Sequence, residues 1–109
     1  METTIYNDNK AKEVENAVMQ VFESKLSEII GFSDKLSKKV VVFILYKLLE
    51  MDKRCVGAAY NMSYLYVPTA SCEIETMFLT DHVFRNKICC VINLIGYESK
   101  LDLGSGAVA

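Results

Sequence analysis

Few side chains in this sequence could carry out catalysis. His82 is the only histidine among the 109 residues, and it lies at a predicted helix start, where a solvated or capping imidazole is the common case. A nucleophilic serine or cysteine normally needs a base held beside it, and no second imidazole is available. The sequence also lacks a glycine-rich phosphate loop. We therefore predict that the protein is not an enzyme, binds no cofactor and has no small-molecule substrate.

The four cysteines follow no metal-binding or disulfide pattern. Cys55, Cys72, Cys89 and Cys90 show no CxxC spacing and have no cluster of histidines beside them. A zinc site would need four ligands from separate elements. The adjacent Cys89 and Cys90 lie in an apolar run, where free cysteines behave as small buried hydrophobes. We therefore predict reduced thiols, no metal site and a cytoplasmic location.

Side chains suited to DNA contacts are concentrated between positions 38 and 69. Lysine and arginine near helix starts can hold phosphates, and hydroxyl groups can contact phosphates and base edges. The candidates are Lys38, Lys39, Lys53, Arg54, Ser63, Tyr64, Tyr66 and Thr69. Glu73 and Glu75 follow in the same region, and the net charge is −2, whereas nucleic-acid binders usually have a basic surface. The DNA-binding chemistry is therefore only partly present.

Composition indicates a single soluble domain spanning residues 1–109. Hydrophobic residues make up 51% of the chain, which excludes disorder. The polar N-terminal segment METTIYNDNK lacks the apolar stretch of a secretory signal. The longest apolar run, residues 40–46 with a continuation to 49, is about half the length that a bilayer crossing requires.

Helical spacing of apolar residues predicts most of the elements that position these side chains. The predicted helices cover residues 10–30, 36–51, 53–60, a stretch from 64 or 68 to 80, and 81–95. Ser33 with Asp34, Asp52 and Asp81 supply N-cap chemistry, and Gly31 and Gly96 end the first and last helices. Residues 1–9 and 98–109 are expected to be frayed.

Residues 40–46, VVVFILY, leave helix and strand both open. Their β-branched and aromatic side chains favour a strand locally. The run continues through KLLEM without a turn signal, and its combined length suits a helix of about four turns better. We therefore predict a helix that is apolar on all sides and lies at the centre of a helical bundle.

The segment from about 53 to 79 has the layout of a helix-turn-helix. A short predicted helix contains Gly57, where a missing side chain would permit close approach of a neighbour. The tight polar turn Asn61-Met62-Ser63 follows, and then a third helix. Two helices joined in this way often form a DNA-reading unit. The predicted fold is a single all-α, five-helix domain containing a helix-turn-helix.

Residues 38–60, KKVVVFILYKLLEMDKRCVGAAY, resemble the C-terminal DNA-binding domain of the bacterial replication initiator DnaA, in the Trp-repressor-like group. They follow that family's order of a basic residue, a long apolar helix, a short connector and an Ile-Gly pair, where this chain has Val56-Gly57. The resemblance extends over residues 38–79, with Ala70 and Ile74 at apolar positions of the recognition helix. It implies a shared fold and gives Lys38 and Lys39 the role of phosphate contacts.

The family's Gly-Gly-Arg-Asp-His-Thr-Thr signature is replaced here by residues 61–67, NMSYLYV. The arginine, aspartate and histidine that read the initiator's DNA site are absent. The resemblance therefore does not imply recognition of that site. It fits a small regulator, a mobile-element protein or a scaffold that no longer binds DNA.

Two functions follow from these residues. The first is binding of double-stranded DNA through the helix-turn-helix, by a homodimer joined through the apolar stripe of the N-terminal helix. The alternative is a non-catalytic protein-interaction module in which Tyr64, Leu65 and Tyr66 anchor a partner, since tyrosine is enriched at interfaces. DNA binding would weaken steeply with salt, whereas binding through tyrosines would be nearly insensitive to it.

Overall fold

Helices form nearly all of the regular structure, so the all-α prediction is confirmed. The computed structural model describes residues 7–31 and 35–96, and within these ranges it contains six α-helices, one π-helical turn and no β-strand. The helices are α1 (Asp8–Phe22), α2 (Leu26–Ile30), α3 (Leu36–Phe43), α4 (Lys53–Ala59), α5 (Val67–Thr80) and α6 (His82–Leu94). The π-helical turn, Ile44–Leu48, continues α3. None of these described helices has the length and apolar content that crossing a bilayer demands.

The predicted count of five helices is wrong because the first predicted helix is divided in two. Glu23 adopts the left-handed conformation with φ 54° and ends α1. The amide of Ser24 then donates to the carbonyl of Met19 at 3.2 Å. A new helix begins after Lys25, whose amide donates to the Glu28 carboxylate at 3.2 Å. The polar triplet 23–25 contains no glycine or proline, so spacing alone did not reveal the break.

Residues 40–46 are helical, which settles the choice between helix and strand. Val40, Val41, Val42, Phe43, Ile44 and Leu45 are each at most 1% exposed. This burial on all sides matches the predicted central helix, which packs against α1, α2 and α5. The helix ends earlier than predicted, at Leu48, and Glu50 with φ 58° turns the chain toward α4.

Part of the apolar stripe of α1 is buried within this chain. Ala11, Val14, Ala17 and Val18 are at most 5% exposed and belong to the hydrophobic core. The predicted homodimer through the N-terminal helix stays a prediction, with less apolar surface available to it because these four residues are buried, while Leu26 and Ile30 remain exposed. Helix α1 also begins at Asp8, with Asn7 as its N-cap, two residues before the predicted start.

The remaining caps agree with the sequence where they are described. The Asp81 carboxylate accepts from the amides of Val83 and Phe84 at 3.0 and 3.2 Å and so caps α6. Gly96 has φ 69°, as suits the residue that ends α6. The predicted caps Ser33 and Asp34 and most of the predicted frayed ends lie outside the described residues. Cys89 is half-buried, and Cys90 is exposed, so the prediction of a buried pair is wrong for Cys90.

Candidate functional site

The start of α4 is fixed by a predicted cap. The Asp52 carboxylate accepts from the amides of Arg54 and Cys55 at 3.1 and 3.2 Å. These two hydrogen bonds satisfy amides that have no partner within the helix, and they hold the Asp52 carboxylate against the backbone. Lys53 and Arg54 therefore occupy the first turn of a helix that is held in place.

The end of α4 packs tightly on the connection to α5. Asn61 is left-handed with φ 55°, and the amide of Met62 donates to the Gly57 carbonyl at 2.9 Å, as in a Schellman cap. A Cβ placed on Gly57 would lie 2.5 Å from the Met62 carbonyl oxygen and 3.2 Å from the Tyr64 nitrogen. The predicted close approach at Gly57 is confirmed, and it sets the position of the backbone that carries Tyr64.

Two contacts join this connection to the rest of the fold. The buried Tyr60 hydroxyl donates to the Glu15 carboxylate of α1 at 2.5 Å. The Asn61 side-chain amide donates to the carbonyl of Ile30 at the end of α2. The connection between α4 and α5 is thus anchored to both N-terminal helices.

Tyr64 and Leu65 lie on an exposed turn before α5. The Ser63 hydroxyl accepts from the Leu65 amide at 3.2 Å, and the Ser63 carbonyl accepts from the Tyr66 amide at 2.9 Å. Helix α5 begins at Val67, with Pro68 in its first turn, close to the later of the two predicted starts. Leu65 is 70% exposed, the largest value among the exposed large hydrophobic residues of the described chain.

Lys38, predicted as a phosphate contact, is buried. Its side chain is 0% exposed, and its ammonium group donates to the carbonyl of Gly31. An ammonium group in this position does not reach a phosphate at the surface. In this conformation Lys38 is a core residue, which the pattern of two adjacent lysines did not reveal.

Lys39 belongs to a cluster that is neutralised from within, and we call Lys39, Tyr66 and Glu73 the Lys39 cluster. The Lys39 ammonium lies 2.9 Å from the Glu73 carboxylate and 5.8 Å from the centre of the Tyr66 ring. The Tyr66 hydroxyl lies 3.4 and 3.5 Å from the two Glu73 carboxylate oxygens. The hydrogen bond to Glu73 is the main cause of a raised pKa of Lys39, and burial opposes it.

Lys53 and Arg54 form a second cluster with Tyr64. The Arg54 guanidinium carbon lies 5.1 Å from the centre of the Tyr64 ring, and the Lys53 ammonium lies 5.9 Å from it. These distances allow cation–π attraction. We call Lys53, Arg54, Tyr64 and Leu65 the corner. Within the described part of the chain, neither Lys53 nor Arg54 forms an ion pair with a carboxylate.

The exposed side of α5 has little chemistry for phosphate. Its exposed residues are Thr69, Cys72, Glu73, Thr76, Leu79 and Thr80. Thr69 is therefore available to a ligand, as is Ser63 in the turn. The only charged residues of this helix are Glu73 and Glu75, and Glu75 pairs with Lys47 across 3.8 Å.

The structure thus divides the eight predicted contact residues. The corner brings together Lys53, Arg54 and Tyr64, and Ser63 precedes Tyr64 in the chain. Tyr66 and Lys39 contact Glu73, Lys38 is buried, and Thr69 is exposed on α5. The pairing of Lys39 with Glu73 was missed, because a contact across 34 positions leaves no local signal in one sequence.

No family model, curated protein or solved structure matches the chain. The resemblance to the initiator's DNA-binding domain therefore stays a prediction, which rests on residues 38–79.

Proposed function

We propose that this protein is a non-catalytic interaction module that binds another protein through the corner. The observation that carries the proposal is the exposure of two consecutive residues, Tyr64 at 39% and Leu65 at 70%, with the Tyr64 ring beside Lys53 and Arg54. Tyrosine and arginine are enriched among the residues that dominate binding energy at protein interfaces. The caps and the tight packing at Gly57 hold this surface in a defined position, which lowers the entropy lost on binding.

DNA binding through α4 and α5 as a helix-turn-helix is the second candidate. It is favoured by the placement of Lys53 and Arg54 in the first turn of α4, beside the Tyr64 ring. It ranks lower because two of the four predicted phosphate contacts are engaged elsewhere, Lys38 in the core and Lys39 with Glu73. Helix α5 carries two glutamates and no cation, and these carboxylates would repel phosphate.

A peptide-display selection tests the protein-binding proposal without assuming a partner. A library of short random peptides is selected on the wild-type protein, and enriched peptides are then measured on Leu65→Ser and on Leu79→Ser. Leu79 is a matched control because it is another exposed leucine, 61% exposed, on α5 outside the corner. We expect peptides whose binding is lost with Leu65→Ser and kept with Leu79→Ser. A selection that yields no such peptide contradicts the proposal.

A labelled generic duplex, titrated by fluorescence anisotropy at several salt concentrations, tests the second candidate. Saturable binding that weakens by about one log unit per log of salt for each phosphate contact, and survives Leu65→Ser, would establish DNA binding instead. On our proposal the duplex binds weakly or not at all, even at low salt.

A further inference from the structure

Neither cation of the corner forms an ion pair with a neighbouring carboxylate among the described residues. Asp52 is adjacent in the chain, but its carboxylate accepts from the first amides of α4. Glu73, the other acidic residue near the start of α5, is 2.9 Å from Lys39. Two cations therefore remain at the corner without an acidic partner among the described residues.

The ring of Tyr64 lies close to both cations of the corner. Its centre lies 5.1 Å from the Arg54 guanidinium carbon and 5.9 Å from the Lys53 ammonium. Long cationic side chains lose rotamer entropy when they bind, and a side chain already held against a ring loses less of it. The hydrogen-bonding groups of both cations are thus available near the tyrosine ring for an acidic ligand.

Besides the positive charge, the corner presents an exposed apolar side chain, Leu65, that a ligand can cover. Its side chain is 70% exposed, and removing it from water would contribute roughly 25 cal/mol for each Å² buried. The backbone of a nucleic acid is charged and hydrated, so phosphates can meet the cations but cannot cover a leucine. A ligand that satisfies the whole corner must carry carboxylates and an apolar side chain together.

Building on the protein-binding function proposed above, we infer that the corner binds an acidic amphipathic segment of another protein. Carboxylates of that segment pair with Lys53 and Arg54, and an apolar side chain packs on Leu65 and the Tyr64 ring. Arginine gives the stronger contact, because its planar guanidinium can bond a carboxylate through two parallel hydrogen bonds.

Two synthetic peptides test the inference. Both carry leucines on one helical face; one has glutamates beside these leucines, and the other has glutamines at the same positions. Binding of each labelled peptide is measured by anisotropy. We expect the glutamate peptide to bind about tenfold tighter than the glutamine peptide at low salt, a difference that charge-assisted pairing can supply. Arg54→Gln should remove most of that preference, and Leu65→Ser should weaken both peptides.

The outcomes separate this inference from the function on which it rests. Equal binding of the two peptides, lost with Leu65→Ser, would overturn the acidic preference and leave the protein-binding function standing. The acidic preference would also be overturned if neither synthetic peptide bound although the display selection had given Leu65-dependent binders without carboxylates. The protein-binding function would again be left standing. Absence of any Leu65-dependent peptide in the selection would overturn both. Leu79→Ser serves as the control throughout.

Discussion

The Lys39 cluster and the corner share a cation beside a tyrosine ring, and only the Lys39 cluster also contains a carboxylate. Each places a cation beside a tyrosine that precedes α5, with cation-to-ring distances between 5.1 and 5.9 Å. In the Lys39 cluster, Glu73 accepts from both the ammonium and the tyrosine hydroxyl. At the corner, no acidic side chain of the described residues takes that place.

This difference separates a structural contact from a binding surface. The Lys39 cluster is satisfied within the chain, so it joins α3 to α5 and offers little charge to a ligand. The corner keeps its charge and an exposed leucine, which a partner can bury. Lys38 is the extreme case, a cation enclosed in the core. Burial and pairing, rather than the number of lysines, decide which cations are available.

Reversing the charge of Lys38 tests whether this cation is part of the core, and it should cause the largest loss of stability among these variants. Lys38→Glu places a carboxylate where the ammonium now donates to the Gly31 carbonyl, in a site that is 0% exposed. We expect the free energy of unfolding to fall by about 3 kcal/mol or more. Urea unfolding followed by circular dichroism measures it. Lys35→Glu, at an exposed position just before α3, is the control and should change stability by less than about 0.5 kcal/mol. Equal losses for the two variants would contradict the burial of Lys38.

Adding one methyl group at Gly57 should displace the corner and leave the Lys39 cluster in place. The new Cβ would meet the Met62 carbonyl oxygen at 2.5 Å, so the backbone that leads to Tyr64 must shift. We expect Gly57→Ala to lower the free energy of unfolding by about 1–3 kcal/mol, as overpacking does. Thermal unfolding measures the loss, and Ala58→Val, at the exposed neighbouring position, is the control for added bulk. A stabilising Gly57→Ala would show that the approach at Gly57 is looser than described.

Removing one cation from the Lys39 cluster and one from the corner compares how much each contributes to the stability of the fold. Lys39→Met breaks an ion pair whose lysine and glutamate side chains are 21% and 46% exposed, so the cost should be at most about 1 kcal/mol. Arg54→Met breaks no ion pair and should cost less than about 0.5 kcal/mol. Paired urea titrations measure the difference. A larger loss for Arg54→Met would mean that the corner is the structural cluster.

A pH series gives the smallest expected effect and identifies its source. Because the pKa of Lys39 is raised in the folded state, the pair stabilises the fold fully below the ordinary lysine pKa. This contribution is lost as pH rises through the raised pKa. The gap in unfolding free energy between wild type and Lys39→Met should therefore shrink above about pH 10.4. A Lys39→Met gap that is unchanged by pH would contradict the pairing with Glu73.

Much of the fold followed from local rules, and most of the site did not. The central helix, the caps at Asp52 and Asp81 and the close approach at Gly57 follow from apolar spacing, capping chemistry and the size of glycine. The break at Glu23 did not, because a non-glycine left-handed residue has no strong signal. The states of Lys38 and Lys39 depend on partners from other elements, Gly31 and Glu73, so a sequence showing only adjacent lysines suggested one shared role.

Binding of the glutamate-bearing peptide to Arg54→Met and Lys39→Met tests the central claim most directly. Both substitutions remove one cation beside one tyrosine, and both proteins should remain folded. If the corner is the binding surface, Arg54→Met weakens binding by about tenfold, as truncation of an interface arginine can, while Lys39→Met leaves affinity within about twofold. Equal weakening by both variants, or weakening by Lys39→Met alone, would contradict the distinction between the two clusters.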